Sequence, residues 1–236
     1  MKTIYLFRHG QAGTFMKSYD QLSELGKQQA SESGQNLKKR LSPKATIVHG
    51  SLRRQQETAE FLCKGLGYEL ECRTDPGFNE FSAEVWKGVS DALAVKEASF
   101  STLLDKYKKQ VETNRESLRT GVYFRKVNGL INNAWINDSV DIPEHLKFSA
   151  FAENVISSFQ RQVSLCRSSD MIIISSVTPI FILFSFLTGQ PYTSQVDLMS
   201  HISNLSLSVI KHVQGKFLFS QFNSTELILK TAKTLI

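Results

Sequence analysis

The stretch LFRHGQAG, Leu6–Gly13, sets a charged pair and a glycine directly behind an apolar, β-prone run, Thr3–Phe7. That run reads as a buried strand, so Arg8, His9 and Gly10 stand at its carboxyl end. Strands often end on polar residues, and one such end decides nothing. The decision rests on whether other strand ends carry matching groups. Thr46–Val48 reads as a second short strand, and His49-Gly50-Ser51-Leu52-Arg53-Arg54 follows it into a helix. Glu69–Cys72 reads as a third, with Glu80 beyond it in GFNEFSAEVWKG. Met171–Ser175 lacks polar alternation, as expected of a strand covered on both faces, and leads into Ser176-Val177-Thr178.

Helical patterns lie between these strands. Ser23–Leu41 places Ala30, Gly34, Leu37 and Leu41 on one face. Arg53–Leu66 carries the stripe Ala59, Leu62, Cys63 and Leu66, and stops near Gly67. Phe148–Cys166 turns Phe148, Phe151, Val155, Phe159 and Val163 inward. Pro179 suits the start of a further helix, and Leu205–Ile210 and Lys216–Phe222 read as two strands joined around Gln214-Gly215. The alternation predicts an α/β three-layer sandwich, with a mainly parallel central sheet and helices on both faces. Residues 1–236 are expected to form a single domain.

The stretch Ser90–Lys147 breaks the alternation and reads as an insertion containing a helix over Ser101–Leu118. Its apolar anchors, among them Phe100, Leu104, Tyr107, Phe124 and Trp135, argue against wholesale disorder. It follows Glu80 and Trp86 and is expected to form a mostly helical cap over the crevice. Lys106, Lys109, Arg119, Arg125 and Lys126 would then select the remainder of an anionic substrate; the alternative is a solvated helix pair.

Composition narrows the function. The 236 residues are 41% hydrophobic and carry a formal charge of +6, which suits an anionic ligand. The basic residues are scattered, and the runs Lys38-Lys39-Arg40 and Lys106–Lys109 are too short to argue for nucleic acid. Cys63, Cys72 and Cys166 have no metal-site spacing, which fits free buried thiols in a reducing compartment. Arg8 ends the first apolar run too early for a signal peptide, and Ser175, Ser176, Thr178 and Pro179 interrupt Met171–Leu187. A cytoplasmic protein without nucleic-acid or membrane partners, cofactor or metal is expected.

In open α/β sheets, ligands bind beyond the carboxyl ends of the strands. A histidine, two arginines and a carboxylic acid gathered there suit phosphoryl transfer. A neutral imidazole can attack phosphorus, guanidinium forks match phosphate oxygens, and a protonated carboxyl can supply the leaving oxygen's proton. Gly10 permits close backbone approach.

The segments RHGQA, SLRRQQETA and NEFSAEVWKG, in this order and at these strand ends, together resemble the histidine phosphatase superfamily, also called phosphoglycerate-mutase-like. The resemblance implies His9 as nucleophile and Arg8 as its neighbour on the phosphate. The family's second arginine stands four residues before a Thr-Ala pair; Thr58-Ala59 therefore selects Arg54, and Arg53 is expected to face away. Glu80, six residues before Trp86 and eight before Gly88, matches the common proton donor, with Glu84 a nearby competitor. Ser203–Ser206 and Phe222-Asn223 resemble the last strand pair.

Two departures stand out. The family's second histidine, in a Ser-His-Gly segment, aligns with Ser176 in IIISSVTPI, and its glycine with Val177. A serine offers one hydrogen bond and no charge, and losing one transition-state donor costs about 10²–10³ in kcat. His49 and His201 are the candidates to substitute in space. Also, Gln11-Ala12 follow Gly10, and Phe15 stands where mutases carry an Asn, which favours the small phosphatase branches. Two functions stay open. One is a metal-independent phosphomonoester hydrolase working through phosphohistidine on a small phosphorylated molecule or a phosphoprotein. The other is a catalytically inactive phosphate-binding module, a pseudophosphatase.

Overall fold

The structure is a computed structural model that describes residues 1–13, 20–115, 117–228 and 234. Its elements run β1 (Lys2–Arg8), α1 (Glu24–Leu37), β2 (Thr46–His49), α2 (Arg53–Leu66), β3 (Glu71–Thr74), α3 (Ala83–Lys96), α4 (Ala98–Asn114), α5 (Leu118–Ile136), α6 (Phe148–Leu165), β4 (Asp170–Ser175), α7 (Val177–Thr188), β5 (Leu207–Val213) and β6 (Lys216–Ser224). The chain divides into two compact units. One comprises Met1–Glu80, Asn154–Pro191 and Asp197–Ile236; the other comprises Phe81–Glu153 and Tyr192–Val196.

The first unit holds a sheet ordered β3-β2-β4-β1-β5-β6. β3, β2, β4 and β1 are mutually parallel, and β5 and β6 close the sheet in antiparallel fashion. Strand periodicity separates two cores. Tyr5, Phe7, Ile47, Ile172 and Ile174 pack with Ala30 and Leu37 of α1 and Leu62 and Leu66 of α2. Ile4 alternates to the other face, where its register partner is Ile210, itself paired with Phe219. On that face Phe159 of α6 meets Phe217, and Phe184 of α7 meets Phe219, each at 5.3 Å between ring centroids. Helices thus cover both faces, as the alternation of elements predicts. α1 and α2 cross closely because a glycine sits between them: a Cβ on Gly34 would stand 2.1 Å from the Leu62 carbonyl oxygen. Lys2 reaches from β1 to donate to the Val163 and Cys166 carbonyls at 2.6 Å, satisfying orphan acceptors at the end of α6.

Element ends differ from the sequence reading for identifiable reasons. α1 stops at Leu37, before the like-charged run Lys38-Lys39-Arg40; Leu41 fits the apolar period and is buried, yet lies outside the helix. β3 lies two residues later than expected, because this exposed edge strand takes its register from β2, Thr46 against Glu71. That exposure also leaves Cys72 on the surface; all three cysteines are free. α7 begins at Val177, with Pro179 in its first turn where a missing N–H costs nothing. β5 begins at Leu207 because Leu205 adopts φ 49° in a preceding turn.

In the second unit, the expected helix over Ser101–Leu118 corresponds to α4, with a separate helix, α5, beginning at Leu118. α4 ends at Asn114, and Ser117 caps α5 by accepting the Thr120 N–H. α3, capped by Ser82, was not legible in the sequence pattern. Trp135 organises the core of this unit, with the rings of Phe81, Phe148 and Phe151 at 5.1, 5.2 and 5.5 Å and its indole N–H donating to the Leu146 carbonyl. Lys106, Lys109, Arg119, Arg125 and Lys126 are exposed.

Candidate active site

β1 and β4 run side by side and deliver their polar ends together: Arg8 is in register with Ser175, and the His9 N–H donates to the Ser175 carbonyl at 2.9 Å. The turn before β5 secures the end of β1 from its other side. The Leu205 N–H donates to the Arg8 carbonyl, the Asn204 amide donates to the His9 carbonyl at 3.2 Å, and Arg8 Nη1 donates to the Ile202 carbonyl. Ser203–Ser206 therefore clamps the strand end that carries Arg8 and His9.

His9 is 7% exposed, and its ring is oriented at both nitrogens. Nδ1 lies 2.8 Å from the Gly10 carbonyl, which can only accept, so Nδ1 carries the proton. Nε2 then keeps its lone pair and accepts from Arg54 Nε at 3.2 Å. Burial, followed by the charges of Arg8 and Arg54, holds the imidazole well below its usual pKa of 6.5, against the opposing pull of the Gly10 carbonyl. The ring is thus a neutral imidazole flanked by two cations.

Arg54 lies in the first turn of α2 and is 8% exposed; its Nη1 pairs with Asp20 at 2.8 Å. Thr58 ties α2 to the strand end. Its hydroxyl accepts the Gly10 N–H at 3.0 Å and donates to the Arg54 carbonyl at 2.6 Å. Gly10 is required by packing: a Cβ there would stand 2.7 Å from the Gly26 carbonyl oxygen and 2.9 Å from Leu205. Arg53 points elsewhere, to Glu57 at 2.8 Å on the exposed side of the helix.

Ser176 is 1% exposed and caps α7 by position only; its hydroxyl accepts the Gln55 amide at 3.0 Å. The same amide donates to the Phe78 carbonyl, which also accepts the Ser175 hydroxyl, each at 2.8 Å. These bonds hold the turn Pro76–Phe78 against β4 and α2. Glu80 follows that turn, and its Oε2 accepts the Thr178 N–H at 3.3 Å in the first turn of α7. Arg54 hydrogen-bonds His9 directly, whereas Ser176 bonds Gln55 of α2 and Glu80 bonds the first turn of α7. His49 repeats the His9 arrangement on β2, with Nδ1 2.7 Å from the Gly50 carbonyl. His201 is exposed, its Nδ1 near the Asp197 carbonyl and Ser200 hydroxyl. Neither His49 nor His201 hydrogen-bonds Ser176 or His9 among the described residues. Phe15 lies outside the described residues. Among those described, no cluster of three metal-ligating acids, histidines or cysteines occurs, and no helix is long and apolar enough to cross a membrane.

Sequence reasoning missed Asp20, Gln55 and Asn204. Asp20 and Gln55 are ordinary polar residues whose partners lie 34 and 121 positions away, so no local pattern marks them. Asn204 sits in a segment that the sequence did single out, but without this contact.

The structure resembles several solved proteins. Phosphoserine phosphatase of Entamoeba histolytica, solved with phosphoserine, superposes with a TM-score of 0.63 at 17% identity, covering 97% of this chain and all of the other. YhfR of Bacillus stearothermophilus gives 0.65 at 16% identity over 98% of this chain and all of the other. The mycobacterial glucosyl-3-phosphoglycerate phosphatase gives 0.57 at 17% identity over 95% of this chain and all of the other. At such identities the likeness speaks for the fold alone. No curated protein matches the sequence. The model of the histidine phosphatase superfamily (branch 1) matches residues 4–122, from the strand that carries His9 through α2 and Glu80. With half of its length matched by that model, the chain belongs to branch 1 of the histidine phosphatase superfamily.

Proposed function

We propose that the protein is a metal-independent phosphomonoester hydrolase that works through a phosphohistidine on His9. The observation that carries this reading is the ring itself: buried, neutral, with Nδ1 committed to the Gly10 carbonyl and Nε2 beside Arg54. In the first step the Nε2 lone pair attacks phosphorus in line and the N–P bond forms. The ester P–O bond breaks, and the leaving oxygen takes the proton of the Glu80 carboxyl. Arg8 and Arg54 bear the charge that spreads over the phosphoryl oxygens, and Arg54 Nε–H turns from the ring nitrogen to one of them. In the second step water attacks phosphorus, Glu80 takes the water's proton, and the N–P bond breaks to release inorganic phosphate and restore the imidazole. Small phosphorylated metabolites are the favoured substrate class, since the named fold relatives act on phosphoserine or glucosyl-3-phosphoglycerate.

One observation favours a second reading, a phosphate-binding module without turnover. Ser176 stands where the resemblance expects a second imidazole, and its hydroxyl is occupied by Gln55. That leaves the site one cation short, which slows an enzyme or silences it. The test is hydrolysis of an aryl phosphate by wild type and His9→Ala, with acid-quenched trapping of the phosphoenzyme. The hydrolase reading requires turnover, and a label that is acid-labile, alkali-stable and absent from His9→Ala. Phosphate binding with no turnover supports the module, and a label that survives His9→Ala removes His9 as nucleophile.

A further inference from the structure

The helix that carries Arg54 begins poorly. The residue at its N-cap is Leu52, whose side chain has no oxygen to accept the first-turn N–H groups. An acceptor comes instead from Asp20, which lies well before α2 in sequence. Asp20 Oδ2 accepts the Arg53 N–H at 2.9 Å, and Oδ1 takes Arg54 Nη1 at 2.8 Å. One carboxylate therefore grips both the start of the helix and the guanidinium that this helix presents.

The guanidinium is held from two sides. Its Nε points at His9 Nε2 at 3.2 Å, and its Nη1 points at Asp20. In a planar guanidinium, Nη1 lies on the Cδ side of the fork, whereas Nε and Nη2 form the other edge. Asp20 thus anchors the corner remote from the reacting nitrogen and turns the Nε–Nη2 edge towards His9. The Arg54 side chain is 10% exposed, whereas that of Asp20 is 42% exposed, so the carboxylate sits at the rim. The backbone that follows Asp20 is also tied down. The Gly13 N–H donates to the Gln21 carbonyl at 2.8 Å, and Ala12 pairs with Leu22. The Leu22 N–H donates to Glu57 of α2 at 2.7 Å.

We propose that Asp20 is a positioning residue for phosphoryl transfer: it aims the bidentate edge of Arg54 at the phosphoryl group on His9 while its own charge weakens ground-state binding of phosphate. This rests on the hydrolase reading for its catalytic half, but the charge effect on phosphate binding stands apart from turnover. The two halves predict opposite changes when the carboxylate is neutralised. Misaimed Arg54 lowers turnover, whereas loss of a nearby negative charge tightens a bound dianion.

The decisive variant is Asp20→Asn, whose amide oxygen still accepts the Arg53 N–H and so preserves the cap. Aryl phosphate kinetics, calorimetric titration with inorganic phosphate and thermal melting are measured on the full chain, with Asp20→Ala alongside. For Asp20→Asn the expected result is a wild-type melt and a kcat lower by about ten- to a hundredfold. Phosphate binding should tighten by about threefold at low salt, with the gain shrinking as salt is added. Unchanged kcat and phosphate affinity in Asp20→Asn, with only Asp20→Ala destabilised, would reduce Asp20 to a helix cap and overturn the proposal. Turnover and phosphate affinity falling together would overturn it as well. If wild type turns over no ester, the hydrolase reading fails on its own, and the titration still decides: tighter phosphate in Asp20→Asn supports the charge role, and equal or weaker binding refutes it.

Discussion

Asp75 shows how a residue outside the chemistry can hold the site together. Its carboxylate is 3% exposed and accepts four hydrogen bonds. Oδ1 takes Ser158 Oγ and the Gly77 N–H at 3.1 Å, and Oδ2 takes Arg161 Nη2 and Gln162 Nε2 at 2.7 Å. These bonds pin the turn Pro76–Phe78, whose last carbonyl receives Gln55 and Ser175 and after which Glu80 follows. Consider Asp75→Ala. A hydrogen bond to a charged acceptor contributes about 1.5–3 kcal/mol, and such terms do not add in full within one cluster. Arg161 is half-exposed, so its share is screened. Gln162 and Ser158 are buried and would lose an acceptor, which places the loss of stability at about 3–5 kcal/mol, a large part of the ~5–15 kcal/mol typical of a domain. Burial alone would raise the Asp75 pKa, but the bonds from Gln162, Arg161, Gly77 and Ser158 outweigh it and hold the group below the usual carboxylate range. Its ionisation therefore adds stability that is present above the unfolded value of about 3.9 and is lost as pH falls through the lower folded value. Urea unfolding of wild type, Asp75→Ala and Asp75→Asn, followed by circular dichroism at about pH 7 and at about pH 2–3, measures both effects. A loss under about 1 kcal/mol for Asp75→Ala, or a gap between wild type and Asp75→Asn that fails to narrow in acid, would refute the reasoning.

Two further predictions concern the reactive groups. Under the hydrolase reading His9 must be neutral to attack, and its pKa is depressed, so the acid limb of kcat/KM is expected below the 6.5 of an ordinary imidazole. Arg54→Gln removes one of the depressing charges and should move that limb to higher pH; comparing both proteins on one ester cancels the ester's own ionisation, and an unmoved limb would count against the charge argument. At position 176, Ser176→His alone should not raise turnover, because the Gln55 amide stands 3.0 Å from the serine hydroxyl. Ser176→His with Gln55→Ala makes room for the ring and should gain up to about 10²-fold in kcat, and steady-state kinetics of single and double variants decide the matter.

Much of this protein is legible one element at a time. Thr3–Phe7, Met171–Ser175 and the stripe on Arg53–Leu66 are local patterns, and the burial they imply recurs in β1, β4 and α2. The strand-end chemistry is legible for the same reason: Arg8, His9 and Arg54 stand within a residue or two of an element boundary that the sequence marks. The resemblance then named the roles expected of Arg54 and Glu80 and aligned its second histidine with Ser176. What sequence by itself could not decide is everything set by a partner far along the chain. The register of β3 comes from β2, because an exposed edge strand has no buried side to fix it. The end of α4 at Asn114 is followed by the Ser117 cap that opens α5, and no local apolar pattern marks that boundary. Asp20, Gln55 and Asp75 are polar residues of no local distinction until folding carries their partners within 3.2 Å. Apolar periodicity is written into neighbouring residues because burial is a property of a face. A hydrogen bond that aims a guanidinium is a property of two distant positions, and it exists only once the chain has closed the distance between them.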